Sequence, residues 1–250
     1  MSVLECRSLA VSYGGVAALK PADLRVESRA LVGLIGPNGA GKTTLIDAVS
    51  GFARSSGEVI FDGRRLDGRS PHRRIRAGIG RTFQNLELFD DLTVLENLLI
   101  AAEPVRWWTP LRDILGPMRR SGYAESAMSA LRAVGAQEYA DLLPGELPNG
   151  TRKLVAVARA LAAEPSVILL DEPAAGLDTE ESALLGRRLR SLVDGGIGML
   201  LVDHDMGLVL SVCDYVYVLD FGVVIARGRP QEILANDAVI KAYLGSGVRS

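Results

Sequence analysis

Gly36-Pro37-Asn38-Gly39-Ala40-Gly41-Lys42-Thr43 decides how the rest of the chain is read. The octet fits G-x-x-x-x-G-K-[ST] at every fixed position. Its flanks are those the pattern requires, an apolar strand-like run over 31–35 and a helical pattern from Thr43 to about Ser50. Gly36, Gly39 and Gly41 let the backbone curl so that its N–H groups converge on an anion. The helix behind them adds the positive end of its dipole. Lys42 brings a point charge to the β- and γ-phosphates of a nucleotide, and the Thr43 hydroxyl is a hard oxygen suited to Mg²⁺. A Gly-rich turn beside a surface lysine is the alternative, and the full spacing in a strand–loop–helix context outweighs it. The loop indicates a nucleotide and leaves open what its hydrolysis drives.

About 130 residues downstream, Ser166-Val167-Ile168-Leu169-Leu170-Asp171-Glu172-Pro173 is a short apolar run ending in two carboxylates. A fully buried parallel strand has this texture, and ligands bind at the carboxyl ends of such strands. Asp171 is placed to reach Mg²⁺ through water, and Glu172 to orient the water that attacks a γ-phosphate. A strand that merely ends in solvated charge is the lesser alternative, and the phosphate loop upstream outweighs it.

Outward from these motifs, residues 3–6, 9–12 and 24–26 are candidate strands, with Gly14-Gly15 as a turn. Residues 57–61, closed by Asp62-Gly63, form another. From 86 to 157 the texture is helical, with apolar periodicity over 92–101, 123–134 and 136–142, a further helix over 154–163, and breaks at Pro104, Pro110 and Pro117. Strands return at 167–170 and 199–202, around a helical stretch at 179–193. Residues 215–219 and 223–226 make a hairpin about Phe221-Gly222. The pattern predicts an α/β sheet domain interrupted by a helical subdomain.

The 250 residues suit one domain or a core with an insert. Against 28 Lys+Arg stand 30 Asp+Glu, a net charge of −2 that excludes a dedicated nucleic-acid-coating protein. The basic run Arg69, Arg73, Arg74, Arg76 and Arg81 reads as a solvated or subunit-facing surface. Cys6 and Cys213 are too few for a disulfide scaffold or a cysteine zinc site and read as buried thiols of a reducing compartment. The start of the chain lacks the pattern of a signal peptide. No apolar run approaches the roughly 18–20 residues of a membrane span. The expected location is the cytoplasm, or a membrane surface reached through a partner.

In order and identity the motifs resemble the ATP-binding cassette ATPases, and the resemblance spans essentially the whole chain. It implies a P-loop NTPase (RecA-like) core of the α/β class with an N-terminal antiparallel β part and an inserted α-helical subdomain. In one domain over 1–250, the core is 1–85 and 158–250 and the insert 86–157. By the resemblance, Tyr13 is the aromatic that stacks on adenine, and Pro37, Asn38, Ala40 and Thr44 join the glycines, Lys42 and Thr43 in holding ATP. Gln84, within Arg81-Thr82-Phe83-Gln84-Asn85, becomes the glutamine that offers a neutral oxygen to Mg²⁺. His204, after Asp203, becomes the switch histidine at the γ-phosphate, and Asp178 ends an aspartate loop facing a second monomer. Alone, Tyr13 reads as well as a partly buried strand tyrosine, Gln84 as polar surface and His204 as structural.

One motif departs from the family. Where the signature is usually Leu-Ser-Gly-Gly-Gln, this chain has Leu147-Pro148-Asn149-Gly150-Thr151. The hydroxyl and first glycine are absent, and Pro148 offers no N–H. Asn149 tolerates a left-handed backbone and can present its amide, while Gly150 and the helix start beyond can still bind an anion. The family places this stretch in trans, over the γ-phosphate of the opposing subunit. Pairing with a different ATPase subunit would explain the departure; pairing with a second copy of this chain is the alternative. A similar Leu-Pro-x-Gly variant occurs in the branched-chain amino acid uptake branch. That branch also shares the style of Leu92-Thr93-Val94-Leu95-Glu96-Asn97-Leu98, Pro173-Ala174-Ala175-Gly176-Leu177, His204-Asp205-Met206, Ala242-Tyr243-Leu244-Gly245 and an insert about Trp107-Trp108. The branch also serves urea, amides and other solutes.

The resemblance implies an ATPase subunit at the cytoplasmic face of the membrane. It would work with transmembrane permease subunits, a second ATPase subunit and, indirectly, a periplasmic or lipoprotein solute-binding protein, without nucleic acid. Two other readings remain. A soluble cassette ATPase acting on nucleic acid or ribosomes usually carries a second cassette or a long coiled-coil insert, neither of which is seen here. A non-hydrolysing nucleotide switch is opposed by the presence of both Glu172 and His204.

Overall fold

Burial patterning divides the strands into two sheets. The computed structural model describes residues 3–82, 88–102 and 117–246. In the first sheet, buried and exposed residues mostly alternate, as in an antiparallel sheet with one covered face. It contains β1 (Val3–Tyr13), β2 (Val16–Glu27), β4 (Ser56–Phe61) and β5 (Arg64–Arg65), in the order β2-β1-β4-β5. The two strands expected at 3–6 and 9–12 are one. The chain bends at Ser8 (φ 48°), where the register with β2 slips, and the Ser8 N–H donates to the Asp23 carboxylate at 2.7 Å.

The second sheet runs β10-β9-β3-β8-β7-β6. Its members are β3 (Leu31–Ile35), β6 (Ile79–Arg81), β7 (Val167–Asp171), β8 (Gly198–Val202), β9 (Tyr215–Asp220) and β10 (Val223–Gly228). Every residue of β3, β7 and β8 is buried, because both faces are covered. Ile168 and Leu170 enter one core with Met199 and Leu201; Val167 and Leu169 enter the other with Leu200 and Val202. Helix α1 (Lys42–Ser50) and the first sheet cover the second face. Helices α3 (Val94–Ala102), α4 (Pro117–Val134), α5 (Asn149–Leu161), α6 (Thr179–Asp194) and α7 (Met206–Val212) close the first. The chain ends in α8 (Pro230–Leu234) and α9 (Asp237–Ser246). Each fully buried leucine contributes roughly 1.5–3 kcal/mol relative to exposure.

Several local expectations change. The helix expected over 136–142 is a single 3₁₀ turn, Gln137–Tyr139, entered through Gly135 at φ 73°. Helix α5 starts at Asn149 rather than 154, because Pro148 precedes the first turn and its carbonyl accepts the Arg152 N–H at 3.0 Å. Helix α2 (Pro71–Ala77) and strand β6 were not foreseen. The basic run does not form one solvated surface. Arg69, Arg73 and Arg76 are exposed, but Arg74 is buried, and its Nη1 donates to the Ala48 and Val49 carbonyls at 2.8 and 2.7 Å. Those carbonyls end α1, where a cation also meets the negative end of the dipole. Cys6 and Cys213 are buried free thiols. Among the described residues no helix is long and apolar enough to cross a membrane. Gln84, Phe83, Asn85, Trp107 and Trp108 lie outside the described residues.

Candidate functional site

Strands β3, β8 and β7 are parallel neighbours, and their carboxyl ends lie along one edge. At about 4.8 Å between strands, that edge brings together segments far apart in sequence. The phosphate loop leaves β3, Asp203–His204 leave β8, and Asp171–Glu172 end β7. The Lys42 ammonium registers the convergence. Burial pulls its pKa down, and Glu172, Asp203 and Asp171 all oppose that shift.

The loop is built around positions that exclude a side chain. A Cβ on Gly36 would collide with the Leu219 carbonyl, and one on Gly41 would stand 2.7 Å from the Ala18 carbonyl. Gly41 is left-handed (φ 102°) and precedes α1 without a side-chain cap, so no side chain occupies the helix start. Lys42 is 6% exposed, and its Nζ donates to the Gly36 and Pro37 carbonyls at 2.7 and 3.1 Å. Asn38, Gly39 and Thr43 are exposed, Ala40 is buried, and Pro37 and Thr44 are half-buried. Tyr13 is 54% exposed at the end of β1, paired with Val16 across Gly14-Gly15. Its partner strand β2 carries Ala18, which abuts the loop at Gly41.

Asp171 is buried, and desolvation raises its pKa while Arg81 works against the rise. Its Oδ2 meets Arg81 Nη2 at 3.3 Å, whereas its buried Oδ1 has no hydrogen-bond partner among the described residues. Glu172 sits at φ 46° directly before Pro173, a position that disfavours helical backbone. Its N–H is fixed on the Val202 carbonyl at 2.7 Å. Among the described residues no three His, Cys, Asp or Glu side chains gather into a metal cluster. The Asp171 carboxylate and the Thr43 hydroxyl are hard oxygens of the kind Mg²⁺ takes, an ion that uses few protein ligands and completes its shell with water and phosphate.

His204 is exposed, with Nδ1 3.5 Å from Asp203 Oδ1. Asp203 is fully buried and braces two loops. Its Oδ2 accepts the Ala174 N–H at 3.1 Å and its Oδ1 the Asp205 N–H at 3.0 Å. Asp178 caps α6, accepting the Glu180 and Glu181 N–H groups at 2.9 Å.

In the departed signature, Leu147 is buried and Pro148 precedes α5 with extended backbone. Asn149 is helical, not left-handed, and its amide donates to the Gly176 carbonyl at 3.0 Å; Thr151 follows in the same first turn. The Gly150 N–H donates to Glu181 Oε1 at 3.3 Å, and a Cβ on Gly150 would stand 2.8 Å from that oxygen. The signature turn is thus tied within its own chain to the loop ending at Asp178. Sequence reading named Asp203 only as the residue before His204 and Arg81 only within the basic run and the Gln84 stretch, and it singled out neither Glu181 nor Lys153. Lys153 lies buried on α5, where Asp203 and Glu172 oppose the fall that burial imposes on its pKa. Only Asp203, a charge directly after an apolar strand and beside a histidine, carried a signal.

Residues 19–175 match the ABC transporter family, and residues 223–249 match the branched-chain amino acid ATP-binding cassette transporter family. The chain is 36% identical over 254 residues to the high-affinity branched-chain amino acid transport ATP-binding protein BraF of Pseudomonas aeruginosa, covering 97% of this chain and 98% of that one. It is 34% identical over 249 residues to LivG of Escherichia coli, with the same coverage. It is also 36% identical over 246 residues to the lipopolysaccharide export system ATP-binding protein LptB of Haemophilus influenzae, covering 98% of each. The crystal structure of the ADP conformation of MJ1267, an ATP-binding cassette of an ABC transporter, superposes with a TM-score of 0.87. It is 31% identical, over 98% of this chain and 99% of that one.

Proposed function

The chain belongs to the ABC transporter family, and on that premise we propose that it binds and hydrolyses ATP to power import of branched-chain amino acids or a related small polar solute. One observation carries the reading: the phosphate loop, Asp171–Glu172 and Asp203–His204 meet at one sheet edge in a chain whose C-terminal residues 223–249 match the branched-chain family. Overall identity does not separate uptake from export, since relatives of both kinds stand at 36%. The C-terminal match favours uptake.

We assign the steps as follows. The exposed Tyr13 ring stacks on adenine. The amides of the loop from Gly36 to Gly41 and of Thr43 and Thr44 cradle the phosphates, with Pro37, Asn38 and Ala40 shaping the turn. Lys42 leaves the Gly36 and Pro37 carbonyls for the β- and γ-phosphates. Thr43, Asp171 and Gln84 would hold Mg²⁺, which when bound neutralises charge on the phosphates. Glu172, on its strained backbone, orients the attacking water, and His204 donates a hydrogen bond to the γ-phosphate. Leu147, Pro148, Asn149, Gly150 and Thr151 cover the γ-phosphate held by a second ATPase subunit, and Asp178 faces that subunit. The weakened signature favours a different chain as partner. Core (1–85, 158–250) and insert (86–157) share helix α5, a continuous route for coupling closure to transmembrane permease subunits. A periplasmic or lipoprotein solute-binding protein supplies the solute, and this chain works at the cytoplasmic face.

The test is transport by the assembled complex in vesicles, with Mg-ATP on the side bearing this chain. The reading predicts ATP-dependent movement of labelled leucine, isoleucine or valine. ATP-dependent lipopolysaccharide extraction without amino acid movement would overturn it.

A further inference from the structure

We propose that Arg81 is a positioning residue that aims the Asp171 carboxylate, holding one oxygen so that the other is left for the metal. The inference rests on the reading of Asp171 as a Mg²⁺ contact.

Arg81 ends β6, the edge strand beside β7. Its side chain is 7% exposed and that of Asp171 is 2% exposed, so neither end of the pair is set by bulk water. Nη1 donates to Asp47 Oδ1 at 2.6 Å and to Ser50 Oγ at 2.8 Å. Both acceptors lie on α1, the helix that begins with Lys42. Nη2 donates to Asp171 Oδ2 at 3.3 Å. A guanidinium is planar and rigid, so anchoring Nη1 on α1 fixes the direction in which Nη2 points. The Phe52 ring lies 5.4 Å from the guanidinium carbon and restricts it further.

The backbone beneath the carboxylate is held as well. The Asp171 N–H donates to Thr82 Oγ1 at 3.3 Å, and the Thr82 N–H donates to the Leu169 carbonyl at 2.9 Å. The outcome is asymmetric: Oδ2 is engaged, and the buried Oδ1 has no hydrogen-bond partner among the described residues. A buried, unpaired carboxylate oxygen is costly in a finished core and is explained by a partner that arrives with the substrate. Arg81 thereby ties the metal-facing carboxylate to the helix that carries the phosphate loop, keeping the two at fixed separation.

The geometry distinguishes aim from charge. Arg81→Lys keeps the positive charge and loses the fork; Arg81→Met loses both. The measurement is the Mg²⁺ concentration that half-saturates binding of a fluorescent ATP analogue to the full chain, with no turnover required. Binding in excess chelator and the circular dichroism of each variant serve as controls. Loss of a partner outside the metal shell typically costs 10–100-fold in metal affinity. Both variants are therefore expected to raise the Mg²⁺ midpoint by roughly tenfold or more, with chelator-treated binding unchanged.

A normal midpoint in Arg81→Lys would overturn the positioning role and leave only charge. A lowered midpoint in Arg81→Met would show that the arginine repels the metal, which also overturns it. If Arg81→Met does not fold, Arg81→Lys decides alone. Asp171→Asn separates the two levels. If it leaves the midpoint unchanged, the reading of Asp171 falls and this inference with it; if it shifts the midpoint while the Arg81 variants do not, only the inference falls.

Discussion

Arg73 and Arg74 are neighbours in one basic run, yet only Arg74 turns inward to close α1. Arg74→Met strands the Ala48 and Val49 carbonyls and is expected to cost about 2–3 kcal/mol in urea unfolding. Arg73→Met, on the exposed face, should stay within about 0.5 kcal/mol. A run of arginines does not say which one is buried, because a long stem lets the charge lie in water or reach back to a helix end. The same ambiguity hid Arg81. The phosphate loop was legible to the residue because its glycines answer steric demands that no other side chain meets. Gly41→Ala, at φ 102° with the Ala18 carbonyl 2.7 Å from the new Cβ, should cost at least about 1–2 kcal/mol. It should also abolish ATP binding in a calorimetric titration.

At the scale of elements, strands β3, β7 and β8 were readable because burial on both faces leaves continuous apolar runs. Short or irregular elements were not. Strand β6 is only Ile79–Arg81, and α2 is short and polar, so neither presents an apolar period. The start of α5 was missed because a Pro-Asn-Gly sequence reads as a turn, whereas here proline stands just ahead of the first helical residue. The start of α6 is capped reciprocally: Asp178 accepts two N–H groups, and Glu181 bonds back to the Asp178 N–H at 3.2 Å. Asp178→Ala is expected to cost about 1 kcal/mol. In a chain of this size that lowers Tm by about 2–4 °C, readable by calorimetry. Because Glu181 also holds Gly150, the variant should raise amide exchange at the start of α5; unchanged exchange there would uncouple the two loops.

At the scale of the molecule, two cores on opposite faces of one sheet leave the site at the sheet's edge. The order of motifs along the chain pointed to an α/β sheet interrupted by helices and to a site at strand carboxyl ends, but not to the two separate cores. Side-chain braces between the segments were not readable, because they join residues from different strands. The buried thiols report on the integrity of the whole. Burial raises Cys6 from 9.0 to about 12, and Cys213 is likewise pushed up by burial. A raised thiol stays neutral in the fold while the unfolded chain ionises. Its contribution is therefore complete below pH 9.0 and is lost as pH climbs toward about 12. Stability should fall over that alkaline window, and both thiols should resist a thiol reagent until unfolding. In the proposed function Glu172 serves the hydrolysis of ATP bound to this chain's own loop. Its most direct test is Mg-ATP turnover by the assembled transporter carrying Glu172→Gln, set beside ATP binding by the same variant. Binding retained with turnover reduced by about 10²–10⁴-fold is the result predicted. Turnover equal to that of the unaltered chain would contradict it.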